Sequence, residues 1–367
     1  MKKIRVLFII IFVGIIILPL IKFNFTPDTV SEIDNRKLTE NPFMQEGDIT
    51  SNIENYVNDR IGFRDIMIAT YTMLNDQLFG KMVHPSYTYG KEGYVFGAGI
   101  TTGNDFSDFH IVFADMVSKI QTYCEERNVP FLFVFNPAKP AIYEEYIAEG
   151  INYDREWVDL FLNELEKRNI NYLDNTVTLK ELSEDGIEVF NVKYDANHWN
   201  DLGAFYGTQK ILEVLKKECP TVHVNDLSEF NVSKEHKDSL MVSDFPINED
   251  VPLIELQCEC INMTNEYSDI KLHPSYRAFG YYVNEQRKVE QSPKALVFQG
   301  SYMNSYGAKY LMNAFGEYIY VHDYQNVIDF PYYYEMFEPD CVIFEVAEYT
   351  FLNIYFDYEL MKAIDYN

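Results

Sequence analysis

A chain of 367 residues that is 47% hydrophobic and 16% aromatic, with 29 Tyr and 27 Phe, can bury a large core, so general disorder is excluded. The net charge is −27, although the first 22 residues hold four basic groups and no acid, and such a surface repels phosphate backbones. Nucleic acid is therefore not an expected partner; a neutral or sugar-like substrate fits better.

The chain opens MKKIRVLFIIIFVGIIILPLIKFNF, a basic start followed by an apolar run over residues 6–21 that reaches ~24 Å as a helix. A cleavable signal peptide is the alternative, but no small-x-small site follows, and the preferred reading is an uncleaved signal anchor over residues 1–25. With the basic residues inside, the chain would be a single-pass cell-membrane protein whose remainder lies on the extracytoplasmic side. Residues 26–60, beginning TPDTVSEIDNRKLTENP, are polar and irregular and read as a membrane-proximal linker, leaving residues 61–367 as the main domain. IENYVNDRIGFRDIMIATYTMLNDQLFG shows helical spacing through Tyr56, Ile61, Met67 and Leu74, and GKEGYVFG (90–97) reads as a turn and short strand.

From about residue 108, helix and strand alternate. The amphipathic DFHIVFADMVSKIQTYCEERN feeds the buried-strand run VPFLFVFNP, and REWVDLFLNELEKRN feeds INYLD. EVFNVKYD reads as a strand running into DANHW, and DLGAFYGTQKILEVLKK as a helix capped by Asn200 or Asp201. KALVFQGSYMNSYGAKYLMNAFGEYIYVHD reads strand, turn, helix, strand, and CVIFEVAE is a further buried strand. The alternation predicts an α/β fold, a mostly parallel sheet flanked by helices. Residues 220–292 are acidic, rich in short strand-like pieces and without helical periodicity, and read as a β-rich insertion beside that sheet. The five cysteines (Cys124, Cys219, Cys258, Cys260 and Cys341) form no disulfide framework and no zinc-ligand spacing, and read as core or strand residues. No Gly-rich phosphate loop appears either, so neither metal nor organic cofactor is expected.

Two stretches carry chemistry. Asp195-Ala-Asn-His198-Trp199 places a carboxylate three residues before a histidine, where it can orient and charge-stabilise the imidazole. Gln299-Gly300-Ser301 ends a predicted strand, and ligands of open α/β sheets bind beyond such carboxyl ends. Backbone N–H groups at the helix start there could hold an oxyanion. Taken together the two stretches describe a Ser-His-Asp site; taken singly, Gly-Ser is a common turn and His198 beside Trp199 could be a packed side chain.

With both motifs in hand, the chain resembles the SGNH-hydrolase-like O-acetyltransferases of the AlgX/AlgJ type, including the DHHW-like proteins. The resemblance runs through SEIDNRKL (31–38), DRIGFRD (59–65), GKEGYVF (90–96), FNPAKPAIY (135–143), DANHW (195–199), GSY (300–302) and CVIFEVAE. It implies an SGNH-like domain with permuted motif order, Ser301 as nucleophile, His198 as base and Asp195 as orienting acid. The family usually shows Asp-x-His-Trp and sometimes Gly-Asp-Ser, whereas this chain has two residues between Asp195 and His198 and reads Gln-Gly-Ser; Asn197 is a poor substitute for Asp195 because an amide cannot offset imidazolium charge. Gly300, Tyr302, Asn304, Asn136 and Trp199 are candidates for oxyanion or substrate binding, and Lys139 and Tyr143 match the family's Lys-x-x-x-Tyr segment. The expected function is extracytoplasmic O-acylation, most simply O-acetylation, of a cell-surface or secreted polysaccharide through an acyl-serine. The resemblance also implies a multi-pass membrane O-acyltransferase as acyl supplier. An esterase with the same triad is the rival within enzymes. A non-catalytic polysaccharide-binding or scaffold protein is the rival outside them, its aromatics, notably Tyr332-Tyr333-Tyr334, stacking on sugar faces.

Overall fold

Three runs of consecutively buried residues form the centre of a seven-stranded sheet: β1 (Phe131–Asn136), β7 (Lys294–Gln299) and β9 (Cys341–Ala347). They lack polar alternation because helices cover both faces. The computed structural model describes residues 2–27, 29–31, 36–45, 47–84, 86–101 and 105–366. The strands after β1 also include β2 (Tyr172–Asp174), β3 (Phe230–Leu240), β4 (Ser243–Leu256), β5 (Ile261–Asn262), β6 (Phe279–Val283) and β8 (Glu317–His322), and short strands, among them Val95–Gly97 of the expected GKEGYVFG turn and strand, precede β1. The sheet order is β2-β1-β9-β7-β8-β6-β5, parallel from β2 to β8, with β6 and β5 antiparallel at the far edge. The mostly parallel sheet is therefore observed, as a mixed one. Its antiparallel edge comes from residues 261–283, so part of the expected insertion extends the main sheet rather than lying beside it, while β3 and β4 pair as a long hairpin.

Alternate residues of the central strands feed two cores. Phe133, Phe298 and Phe344, in register across β1, β7 and β9, meet Phe113, Val117 and Phe161 on one face. These come from α4 (Asp108–Glu125) and α5 (Glu156–Lys167). Leu132, Val297 and Ile343 face Phe205, Leu212, Tyr310 and Leu311, carried by α7 (Asp201–Leu215) and α8 (Ala308–Ala314). α6 (Thr176–Glu184) adds Leu179 to the same face. Each fully buried Phe or Leu contributes roughly 1.5–3 kcal/mol of transfer free energy. Asn200, one of the two expected caps, does cap α7, accepting the Gly203 N–H at 2.9 Å.

The chain forms two compact units, Met1–Tyr89 with Lys237–Glu249, and Gly90–His236 with Asp250–Asn367. In the first, α1 (Lys2–Ile21) contains the apolar segment Lys3–Ile21, of mean hydropathy 3.0 and with none of it buried. The expected linker contains a helix, α2 (Ile49–Arg60), because Asp48 caps it by accepting the Ser51 N–H at 2.8 Å. The helical spacing that continues past residue 60 is broken by a tight approach. Gly62 donates to the Pro19 carbonyl at 2.9 Å, and a Cβ there would stand 2.5 Å from Lys22 Cβ. Phe63, at φ 63°, then starts α3 (Arg64–Phe79). Of the SEIDNRKL motif, residues 32–35 lie outside the described residues.

Two further expectations change. Cys124 and Cys341 are buried in α4 and β9, but Cys219, Cys258 and Cys260 are half-buried in connecting segments. EVFNVKYD forms no strand: residues 187–200 run irregularly, pinned against α7 where a Cβ on Gly203 would lie 2.1 Å from the Val189 carbonyl oxygen. Gly203→Ala should therefore lower stability by ~1–3 kcal/mol despite alanine's better helix propensity, read as a lower urea midpoint at unchanged slope.

Candidate active site

Because β1, β9 and β7 are adjacent and parallel, their carboxyl ends emerge side by side. Glu345, on the central strand and fully buried, accepts from Asn136 Nδ2 at 2.8 Å on one side and from the Gly300 N–H at 2.9 Å on the other. Burial, reinforced by the Asp323 carboxylate, pushes the Glu345 carboxyl up to about 8 against those two donors. Ser301 starts the helix that follows β7, passing through a π turn, Met303–Gly307, into α8. Gly300 has ordinary backbone torsions, and a Cβ there would make only van der Waals contact, so the turn does not require glycine.

The second component comes from the irregular segment before α7. Lys139 is fully buried, and its ammonium donates to the carbonyls of Val95 (2.6 Å) and Val192 (3.0 Å). The Val189 N–H donates to the Tyr143 hydroxyl at 3.2 Å. With the Val95 N–H, which donates to the Val192 carbonyl at 2.8 Å, these bonds fix the irregular segment so that Asp195 and His198 face inward from it. Asp195 accepts the N–H groups of Asn197 and His198, both at 3.0 Å, and its Oδ2 lies 2.8 Å from His198 Nδ1. Burial pushes the Asp195 carboxyl up, but the His198 charge and these donors outweigh it, leaving it below the usual carboxylate range. The two intervening residues thus do not separate acid from base.

Ser301 and His198 do not bond directly. The Tyr349 hydroxyl stands between them, in short contact with Ser301 Oγ and 2.9 Å from His198 Nε2. Burial raises the Tyr349 pKa, so the phenol stays protonated and can accept from one neighbour while donating to the other. Tyr349 lies in a short turn after β9 that its neighbour Glu348 anchors. The Glu348 carboxylate accepts from Arg155 Nε (2.9 Å) and Nη2 (3.0 Å), the Tyr153 hydroxyl (2.8 Å) and the Ala138 N–H (3.0 Å).

Residues 112–241 match the family model described as the SGNH hydrolase-like domain of the acetyltransferase AlgX. This segment is similar to an AlgX-type SGNH hydrolase-like domain. The match contains Asp195 and His198 and ends before Ser301. Solved structures of like fold include Bacillus cereus PatB1 (TM-score 0.54, 13% identity, covering 73% of this chain and 97% of that one). The O-acetyltransferase domain of Pseudomonas putida AlgJ (0.52, 13%, 76% and 99%) and a DHHW family protein from Eubacterium siraeum (0.53, 14%, 76% and 95%) are also similar. PatB1 has also been solved with a sulfonyl adduct (0.52, 13%, 72% and 94%). At such identities the likeness is one of fold. No curated protein sequence matches the chain.

Around the site the remaining candidates divide by what they touch. The Gly300 N–H is committed to Glu345, and Asn136 spends its amide on Glu345 and Asn175, so neither is free for an oxyanion. Tyr302 and Trp199 are fully buried and tie the serine helix to the histidine loop: Trp199 Nε1 donates to the Tyr302 carbonyl (3.1 Å), and the Tyr302 hydroxyl to the Asn197 carbonyl (2.8 Å). They brace the site and do not face a substrate. Asn304 is exposed, with its Oδ1 held by Gln299 Nε2 at 2.7 Å. Sequence reasoning missed Tyr349, Glu345 and Glu348, although all three lie in or directly after the strand CVIFEVAE. A cavity of about 310 Å³ opens beside Tyr349, lined in part by Lys139, Tyr153, Asn197, Glu348 and Leu352. Among the described residues, no group of three or more His, Cys, Asp or Glu side chains could hold a metal ion.

The raised Glu345 pKa has a definite sign in stability. Its contribution is complete below the ordinary glutamate range, ~4.3, and is lost as pH rises through about 8. Glu345→Gln should cost stability at pH 5 through an altered hydrogen bond, yet show a flatter pH profile, so that wild type loses its advantage between pH 5 and 8.5. Thermal melts across that range check this; parallel profiles would refute it.

Proposed function

We propose that the chain is a membrane-anchored O-acyltransferase, acting by preference with acetyl groups, that modifies a cell-surface or secreted polysaccharide on the extracytoplasmic side through an acyl-serine. The observation that carries this is the unbroken hydrogen-bond chain Ser301–Tyr349–His198–Asp195 at the carboxyl edge of the sheet. The match of residues 112–241 to the AlgX acetyltransferase model supports the class of reaction, and α1 is long and apolar enough to serve as the anchor.

Ser301 Oγ attacks the donor's acyl carbonyl as its proton passes to the Tyr349 oxygen and the Tyr349 proton passes to His198 Nε2. Asp195 stabilises the imidazolium. The oxyanion is held by the Ser301 N–H, which lies at a helix start and has no partner four residues back. Collapse expels the leaving group, which takes a proton returned by the same route. A sugar hydroxyl then attacks the acyl-serine, giving up its proton to His198 through Tyr349; the Ser301 Oγ–acyl bond breaks, Oγ recovers a proton by the same route, and the sugar leaves as the ester. Lys139 and Tyr143 act as positioning residues for the segment bearing Asp195 and His198. The acyl donor would come from a multi-pass membrane O-acyltransferase. An esterase would use the same residues, with water as the second nucleophile.

A purely sugar-binding role has less support, because the aromatic triplet is packed rather than displayed. Tyr333 is buried, with its hydroxyl 2.6 Å from the Lys271 carbonyl, and Tyr334 packs edge-on against Tyr123.

The test is intact-protein and peptide mass spectrometry of the detergent-solubilised full chain after incubation with an activated acetyl ester, with a sulfonyl fluoride as second label. An acetyl adduct should form on Ser301, be absent in Ser301→Ala, and form ~10²–10⁴-fold more slowly in His198→Ala. Tyr349→Phe should slow it by a similar factor if the phenol relays the proton. Wild-type rates in that variant would sink the relay, and a folded wild type with neither adduct nor ester turnover would sink the enzyme reading. Sugar oligomers added to the acyl-enzyme then separate transfer from hydrolysis.

A further inference from the structure

In the N-terminal unit, α3 leaves one face uncovered. Ile66, Met67, Tyr71, Leu74 and Leu78 are exposed by between 46% and 68%. At 3.6 residues per turn they fall, with the uncharged Thr70 and Gln77, within an arc of about 140°. No charged side chain lies in that arc. Asp65 and Asp76 sit on the opposite side of the helix, where Asp76 accepts the Tyr89 hydroxyl at 2.5 Å, and Arg64 at the margin bonds Ser31 and Asp65. An uncharged, largely apolar face of this length on a water-facing helix is costly unless something covers it.

Its place in the fold indicates what does. The elbow between α2 and α3 is bonded to the last turn of α1 and to the segment just after it: Gly62 N–H to the Pro19 carbonyl at 2.9 Å, and Asn24 N–H to the Arg60 carbonyl at 2.8 Å. The apolar segment Lys3–Ile21 has 19 residues. As a helix it reaches ~28 Å, close to the ~30 Å of a bilayer's hydrocarbon core, so its last turn marks the outer boundary of that core. α3 starts two residues beyond Gly62 and therefore starts at that boundary. Phe25, just past α1, is 77% exposed at the same level. Tyrosine and phenylalanine are suited to this zone, where an apolar body meets a wet edge. With one Arg against two Asp, α3 has no means of electrostatic capture by anionic lipid, so apolar insertion must supply the attachment.

We propose that α3 lies in the outer membrane–water interface beside the anchor, with its Ile66–Leu78 face in the headgroup and upper acyl region, so that the chain grips the bilayer by a spanning helix and an interfacial one. This rests on the reading of α1 as a retained anchor.

The test reconstitutes the full chain in zwitterionic phosphatidylcholine vesicles and measures tryptophan quenching by lipids brominated either near the carbonyl or near the chain end. Variants are Leu74→Trp, Tyr71→Trp and, on the anchor, Phe12→Trp; Trp157 and Trp199 are buried and give a constant background. Leu74→Trp and Tyr71→Trp should each be quenched at least twofold more by the shallow bromines than by the deep ones, equally at low and high salt, while Phe12→Trp answers to the deep ones. Quenching of Phe12→Trp alone would keep the anchor and overturn the interfacial helix. A blue-shifted but unquenched Leu74→Trp would overturn it in favour of a protein cover, such as a second copy. No quenching at any of the three positions would remove the anchor itself, and with it the proposal.

Discussion

The site depends on a carboxyl group buried where three strands end. Glu345 is taken out of water at considerable desolvation cost, and two hydrogen bonds do not fully offset it, as its raised pKa records. In exchange, the carboxyl ends of β1 and β7 are tied to β9 between them by a single side chain. The arrangement also assigns backbone donors. With the Gly300 N–H consumed by Glu345, the oxyanion role in the proposed mechanism falls to a donor of the helix's first turn, beginning with Ser301.

Three residues further along, Glu348 follows a different logic. Its four donors include both nitrogens of one Arg155 fork, so its charge is matched even though it is nearly buried. Removing one partner of such a pair costs ~3–5 kcal/mol, whereas the intact pair adds little net stability. Its value is positional: Glu348 and Tyr349 are neighbours, so the clamp on one sets where the other's hydroxyl points. One strand and the turn after it thus deliver a buried carboxyl group beside the serine, a clamp beside the cavity and a phenol between serine and histidine.

Much of this was legible in the sequence. Long buried runs such as FLFVFN and CVIFEVA can hardly be anything but central strands, and Asp195, His198 and Ser301 stood out because residue type and spacing report side-chain chemistry directly. Legibility failed where long-range contacts override local pattern. EVFNVKYD has strand-like composition, but Lys139 and Tyr143, some fifty residues earlier, hold its backbone in another path. The residues at 279–283 looked like insertion because an antiparallel edge strand is defined by its partner β8, not by its own period. Tyr349 was invisible among 29 tyrosines, since a position just after a central strand becomes informative only when the strand order puts it beside Ser301.

The interposed phenol bears on why the proposed reaction would be transfer rather than hydrolysis. In a direct serine–histidine pair, a water that replaces the leaving group reaches the imidazole and is activated there. Here His198 Nε2 is already bonded to Tyr349, so an incoming hydroxyl must yield its proton at the phenol, beside the cavity lined by Tyr153, Asn197 and Leu352. Under the proposed mechanism water would gain nothing from that wall, while a sugar would bury surface against it and be held in attacking geometry, where effective concentration greatly exceeds that of a free nucleophile. Placing the proton acceptor against a binding surface, instead of at the base itself, favours the larger nucleophile without any group that repels the smaller one.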